Sequence, residues 1–246
     1  MVPWFRCCAA NAASRRRRVA GAGAGFVLGW LGAAGLLAQQ PPVHYLHQGV
    51  MPPGAIGRQQ LVRGGPLCGF YQPVEIKAPP GALVSLAVAN RFDRPRRAPR
   101  TAGLLIGEVY RLRVINLPMA QEAEVFPSIE VIDRLYPPAG QQSRFPIPVE
   151  LTAEDLRLAL DGKFVTRVIY LEDPRNALPV REDLQSQNWF EAAPGQDPLA
   201  IADSLGRPVA ILRLGGRLPE PAQPSDPSFF FGSPPFKSMA SEGQNR

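Results

Sequence analysis

The sequence predicts a mainly β protein, an antiparallel β-sandwich with one or two short helices. Three observations predict it. Seven short runs of strand character lie between residues 67 and 218, with proline, glycine or asparagine at their margins. Within them apolar and polar residues alternate, as in Tyr110-Arg111-Leu112-Arg113-Val114. That is the half-buried pattern of an antiparallel sheet rather than the continuous apolar run of a parallel one. Stretches with helical punctuation are few and short.

Residues 1–38 form a separate segment. They hold five arginines, Arg6 and Arg15–Arg18, and no acid; Val19–Ala38 follows as twenty uncharged residues. A basic stretch ahead of an apolar run is the pattern of an export signal peptide, its positive end staying on the cytoplasmic side. Cleavage is expected after Ala38, with Ala34 as the alternative. Twenty residues also suffice to span a bilayer, and Gly21, Gly25 and Gly29 would let helices approach closely. A retained membrane anchor formed by residues 19–38 is therefore the second reading. The arginine run also resembles a twin-arginine signal in part, with Val19 where a bulkier residue is usual. Of the 27 basic residues, the 22 outside this segment face 21 acids. Charge thus gives no reason to expect nucleic acid as a partner.

Residues 39–66 are rich in proline, glycine and glutamine and read as a linker. They contain both histidines, His44 and His47. Two histidines three apart are an incomplete metal site, and no further ligand completes it nearby. Cys7 and Cys8 precede the apolar run, so Cys68 has no partner for an internal disulfide in the rest of the chain. It is expected to be a small buried residue.

The folded domain is expected over residues 67–218. Val74–Lys77 and Leu83–Ala89 are strands flanking a Pro80-Gly81 turn. Arg91–Arg100 carries five arginines; it could grip a polyanion, but lacks the interleaved aromatics of a nucleic-acid groove and reads as a solvated hairpin tip. Leu104–Leu117 is the longest predicted strand, and Ser128–Leu135 ends at Tyr136-Pro137-Pro138. In Phe145–Leu151, Phe145, Ile147, Val149 and Leu151 share one face, while Pro146 and Pro148 lack ladder donors and mark an edge strand. Thr152 caps a helix, Glu154 and Asp155 suit its positive end, and Gly162 supplies a left-handed stop. Val165–Leu171 is the next strand. Asp197-Pro198 starts a second helix, and Pro208–Leu218 is the last strand. Residues 219–246 turn to proline, serine and glycine with Phe229–Phe231 and Phe236. They are expected to be a disordered tail, its phenylalanines a candidate docking motif.

The first helix is expected in the corner between two sheets, joining Phe145–Leu151 to Val165–Leu171. An α+β fold with that helix as a crossover is the rival. At the level of pattern the domain resembles immunoglobulin-like sandwiches, but it lacks their Cys–Trp–Cys core, so no family assignment follows.

No histidine falls in residues 67–218, which removes Ser-His-Asp and Cys-His catalysis and most zinc chemistry from that span. Phosphate-loop, dinucleotide and Cys-x-x-Cys motifs are also missing from the sequence. Glu130 with Asp133, Glu150, and Glu172 with Asp173 could supply an acid/base pair; Arg134, Arg167 and Arg175 are the simpler partners for such acids. No catalytic residue, cofactor or metal ligand is assigned. The expected function is an exported, non-catalytic binding or scaffold module of a bacterial-type cell envelope, with an envelope protein or polymer as partner. The alternative is a small carboxylate-dependent hydrolase acting on an envelope polymer.

Overall fold

A computed structural model describes residues 52–64, 67–175, 191–193 and 195–239, all within the compact unit Val43–Arg246. The signal segment, His44 and His47 lie outside the described residues. The described residues are mainly β, with two sheets and three short α-helices. Its strands are β1 (Tyr71–Lys77), β2 (Leu83–Val88), β3 (Arg91–Phe92), β4 (Arg96–Arg97), β5 (Arg100–Leu105), β6 (Val109–Ile115), β7 (Ser128–Val131), β8 (Ile147–Glu150), β9 (Val165–Glu172), β10 (Gly206–Leu214) and β11 (Phe236–Ser238). The helices are α1 (Ala55–Val62), α2 (Ala153–Leu160) and α3 (Pro198–Leu205).

The smaller sheet has the order β11-β5-β1-β8; the larger runs β3-β2-β6-β7-β10-β9, with β4 also on β2. Val74 and Ile76 of β1, Leu104 of β5 and Val149 of β8 are buried in one cluster with Leu86, Leu112, Ile129 and Leu212 of the larger sheet. This is the two-layer core of a sandwich. Ile211 alternates with Leu212 and so faces the other way. It is buried with Ile56 of α1, Ile132 and Leu199 of α3, so helices cover part of the outer face of the larger sheet.

Several expectations change. The ladders are antiparallel except between β1 and β8, which run parallel with Val74 opposite Ile147. Leu104–Leu117 is two strands, not one, because Gly107 turns at φ +85° and donates its N–H to Val131 O at 2.8 Å. Ser128–Leu135 leaves the sheet after Val131, where the amides of Ile132 and Asp133 turn to Val209 O. Phe145 lies outside its strand, 46% exposed.

The expected linker contains α1. Gly57 is what lets it sit down: a Cβ there would lie 2.7 Å from Gly107 Cα. The expected disordered tail contains the buried Phe229 and Phe230 and strand β11, antiparallel to β5. The domain therefore extends beyond residues 67–218 at both ends.

The region around α2 follows the sequence closely. Asp155 N–H donates to Thr152 Oγ1 at 3.1 Å, and Thr152 N–H donates back to Asp155 Oδ2 at 3.4 Å, a reciprocal capping box. Gly162 ends the helix at φ +77°. Strand β8 is indeed an edge, and so is β9 of the other sheet. The helix between them spans the two layers along one side, burying Leu156 and Ala159. Asp155 is also gripped at both oxygens by Arg167 of β9, at 2.7 and 2.8 Å. Thr152→Ala is expected to lower unfolding stability by about 1 kcal/mol, and Gly57→Val by more, since it pushes α1 off the sheet. Urea denaturation of the two variants checks both values; equal, wild-type midpoints would contradict these contacts.

Candidate functional site

The carboxylates singled out in the sequence do not meet in one place. Glu130 is fully buried on the outer face of the larger sheet. Its Oε1 accepts the N–H of Gly57 at 2.9 Å and its Oε2 accepts from Arg213 Nη1 at 2.8 Å. Asp133 turns away to an ion pair with Arg207. Asp173 is bonded by Arg175 at 2.8 Å, and that guanidinium holds its carboxyl below the usual carboxylate range. Glu172 is exposed at the end of β9. Glu150 is the one carboxylate among the residues lining an open depression of about 290 Å³, with Lys77, Pro79, Pro80 and Thr152 around it. A lone carboxylate has no second group to divide acid and base roles with. Of the arginines expected to take these acids, Arg175 does so, while Arg167 takes Asp155 instead.

The Arg91–Arg100 stretch is less open than expected. Arg100 is 5% exposed and belongs to β5; it bonds both oxygens of Asp93 and the carbonyl of Val84. Asp93 also accepts the amide of Leu86 at 2.8 Å. Cys68 is exposed rather than buried. Among the described residues no group of three His, Cys, Asp or Glu side chains is placed to share a metal ion.

Cross-strand register sets Arg111, Ser128 and Arg213 side by side on the outer face of the larger sheet. Arg213 is neutralised by Glu130, but Arg111 is held by carbonyls and rings. Its Nε donates to Phe229 O at 3.0 Å and its Nη1 to Phe126 O at 2.8 Å. The rings of Phe229 and Phe231 lie 4.8 and 4.6 Å from its guanidinium carbon. Burial, and then the charge of Arg217, pushes the Arg111 pKa down to about 10. The candidate docking motif is thus largely spent on the protein itself: Phe229 and Phe230 are 3% and 2% exposed, clustered with Phe126 and Phe92.

Among the described residues, a partly exposed stack stands out that the sequence reading did not assemble. Arg134 lies between the rings of Phe70 and Tyr136, at 3.9 and 4.7 Å. Arg207 lies 5.3 Å from the Tyr136 ring, bonded to Asp133 and to Arg134 O. The Leu135 amide between them donates to the buried Gln72 at 2.8 Å. Tyr136 nevertheless remains 61% exposed. The alternation of Arg134 and Tyr136 in Arg134-Leu135-Tyr136 was the available signal; Phe70 comes from just before β1 and Arg207 from β10, both remote in sequence.

No family model, curated protein or solved structure matches this chain. Its chemistry therefore rests on the geometry alone. Glu130→Leu is expected to cost about 3–5 kcal/mol, because it strands the Arg213 charge in a dry site. Glu130→Leu with Arg213→Met should recover much of that loss. A double-mutant cycle by denaturant unfolding checks the pairing; additive losses would show the two groups to be uncoupled.

Proposed function

We propose that this chain is an exported, non-catalytic binding or scaffold module of a bacterial-type cell envelope, built on an immunoglobulin-like sandwich. Its partner is an envelope protein or polymer. The observation that carries the binding reading is the Phe70–Arg134–Tyr136–Arg207 stack. A ring whose orientation is fixed by neighbouring cations, yet which is open to solvent, binds at low entropic cost. The carboxylates support the same reading from the other side. Glu130, Asp133 and Asp173 are committed to arginine or backbone partners. Export is supported by the placement of five arginines before the uncharged run Val19–Ala38.

Tyr136→Ala in the full-length chain is expected to fold with unchanged melting temperature. It should bind immobilised envelope material about tenfold more weakly, a typical loss for an aromatic anchor. Mass spectrometry of the chain recovered from the producing cell should give an N-terminus between residues 33 and 41. An unprocessed chain in the membrane fraction would replace export by anchoring through residues 19–38. Turnover of an envelope polymer abolished by Glu150→Gln would replace the binding module by the hydrolase.

A further inference from the structure

The chain carries its own C-terminal strand through a turn that L residues avoid. Phe231, Gly232 and Ser233 have φ of 51°, 72° and 48°, three successive left-handed residues of which two have a Cβ. That conformation crowds the Cβ against the following carbonyl, and a bulky residue adopts it only where surrounding contacts impose it. The contacts are present. Asn90 N–H donates to Ser233 Oγ at 2.9 Å, Ser233 Oγ lies 3.3 Å from Asn90 Oδ1, and Phe231 is stacked on Arg111. Before the turn the chain is anchored by the buried Phe229 and Phe230.

Beyond the turn lies a seat specific for a very short strand. Tyr110 OH accepts the N–H of Leu105 and donates to Pro235 O, both at 2.8 Å. Phe236 lies 5.7 Å from the Arg100 guanidinium, and the Lys237 ammonium lies 4.4 Å from the Tyr71 ring centre. Gly103 makes room opposite Lys237, where a Cβ would come 3.3 Å from the lysine Cβ. Strand β11 has three residues, two of them exposed. Without it β5 is a bare edge of the smaller sheet.

A specific seat filled through a short strained hinge is the arrangement that favours exchange between copies. Opening the hinge relieves the turn at the expense of its own contacts to Asn90 and Arg111, and seating the same strand on a second copy keeps those of Pro235–Ser238. We propose that Pro235–Ser238 and the β5 edge are a strand-exchange pair through which two copies of this chain join, each seating β11 on the other. The surface is distinct from the Tyr136 stack and goes beyond the envelope-binding reading.

The test uses full-length chains whose three native cysteines are replaced by serine. One carries Gly103→Cys, the other Lys237→Cys, and the two are mixed, incubated and oxidised. The expected result is a mixed covalent dimer on a non-reducing gel. Inserting two glycines after Gly232 relaxes the hinge and leaves both anchors in place, so it should cut the mixed dimer about tenfold or more. A chain carrying both cysteines and the insertion should close on itself. Ala102→Cys with Ser238→Cys repeats the design at the next register position should Gly103→Cys disturb folding. Self-closure without any mixed dimer would overturn the proposal. So would mixed dimer that is indifferent to the insertion, or failure of both cysteine pairs to link in any chain.

Discussion

The fully buried Glu130 is the constraint on which the outer face of the larger sheet depends. A carboxylate cannot be taken out of water uncompensated, and here two groups compensate it, the Gly57 amide and the Arg213 guanidinium. The first ties α1 to the sheet through a backbone group, so no side chain on the helix has to supply the contact. The second lets an arginine occupy a strand position that is 7% exposed. Such a pair adds little over well-packed apolar residues, but it specifies which helix sits where. Because Gly57 also lies close against Gly107, the turn that divides β5 from β6 and the docked α1 share one contact. That division sends β5 to one sheet and β6 to the other.

The sandwich is closed differently along its two sides. On the β8–β9 side a local element does it: α2, capped at Thr152 and tied by Asp155 to Arg167. On the other side the segment after β10 crosses the face at Arg111 and ends as β11 on β5. One closure is encoded within some twenty consecutive residues, the other by residues more than a hundred positions apart. Arg111 suits the second task because a guanidinium can serve two carbonyls and two ring faces at once. An acidic partner would have neutralised it without holding the tail.

This contrast explains what was legible beforehand. The Thr152 cap, Gly162, the Asp197-Pro198 helix start and the edge character of β8 could be read because their causes lie within a few residues of their effects. The break at Gly107 was not, since the clear alternation of Tyr110–Val114 draws the whole stretch into one strand, while the turn itself is imposed by Val131 and Leu61. Helix α1 was hidden in a Gly/Pro-rich stretch, its partner 73 residues away. The tail looked unable to form a core, which is true of its composition; Phe229 and Phe230 join one that Ala87 and Phe126 begin. Among candidate site residues, the acids were found individually and Arg175 beside Asp173 could be read locally. The partners of Glu130 and Asp133, however, sit on β10, more than seventy residues on, and the Phe70–Arg134–Tyr136–Arg207 stack exists only in three dimensions.

The bonds of Ser233 to Asn90, Pro235 to Tyr110 and Phe229 to Arg111 span 143, 125 and 118 residues. Folds dominated by such remote contacts form slowly. During synthesis the contrast is sharper still, since a ribosome releases on the order of 5–20 residues per second. For several seconds β5 is outside the tunnel while the strand that covers it has not been made. Its backbone donors and acceptors stand open through that interval, to chaperones and to other nascent chains alike.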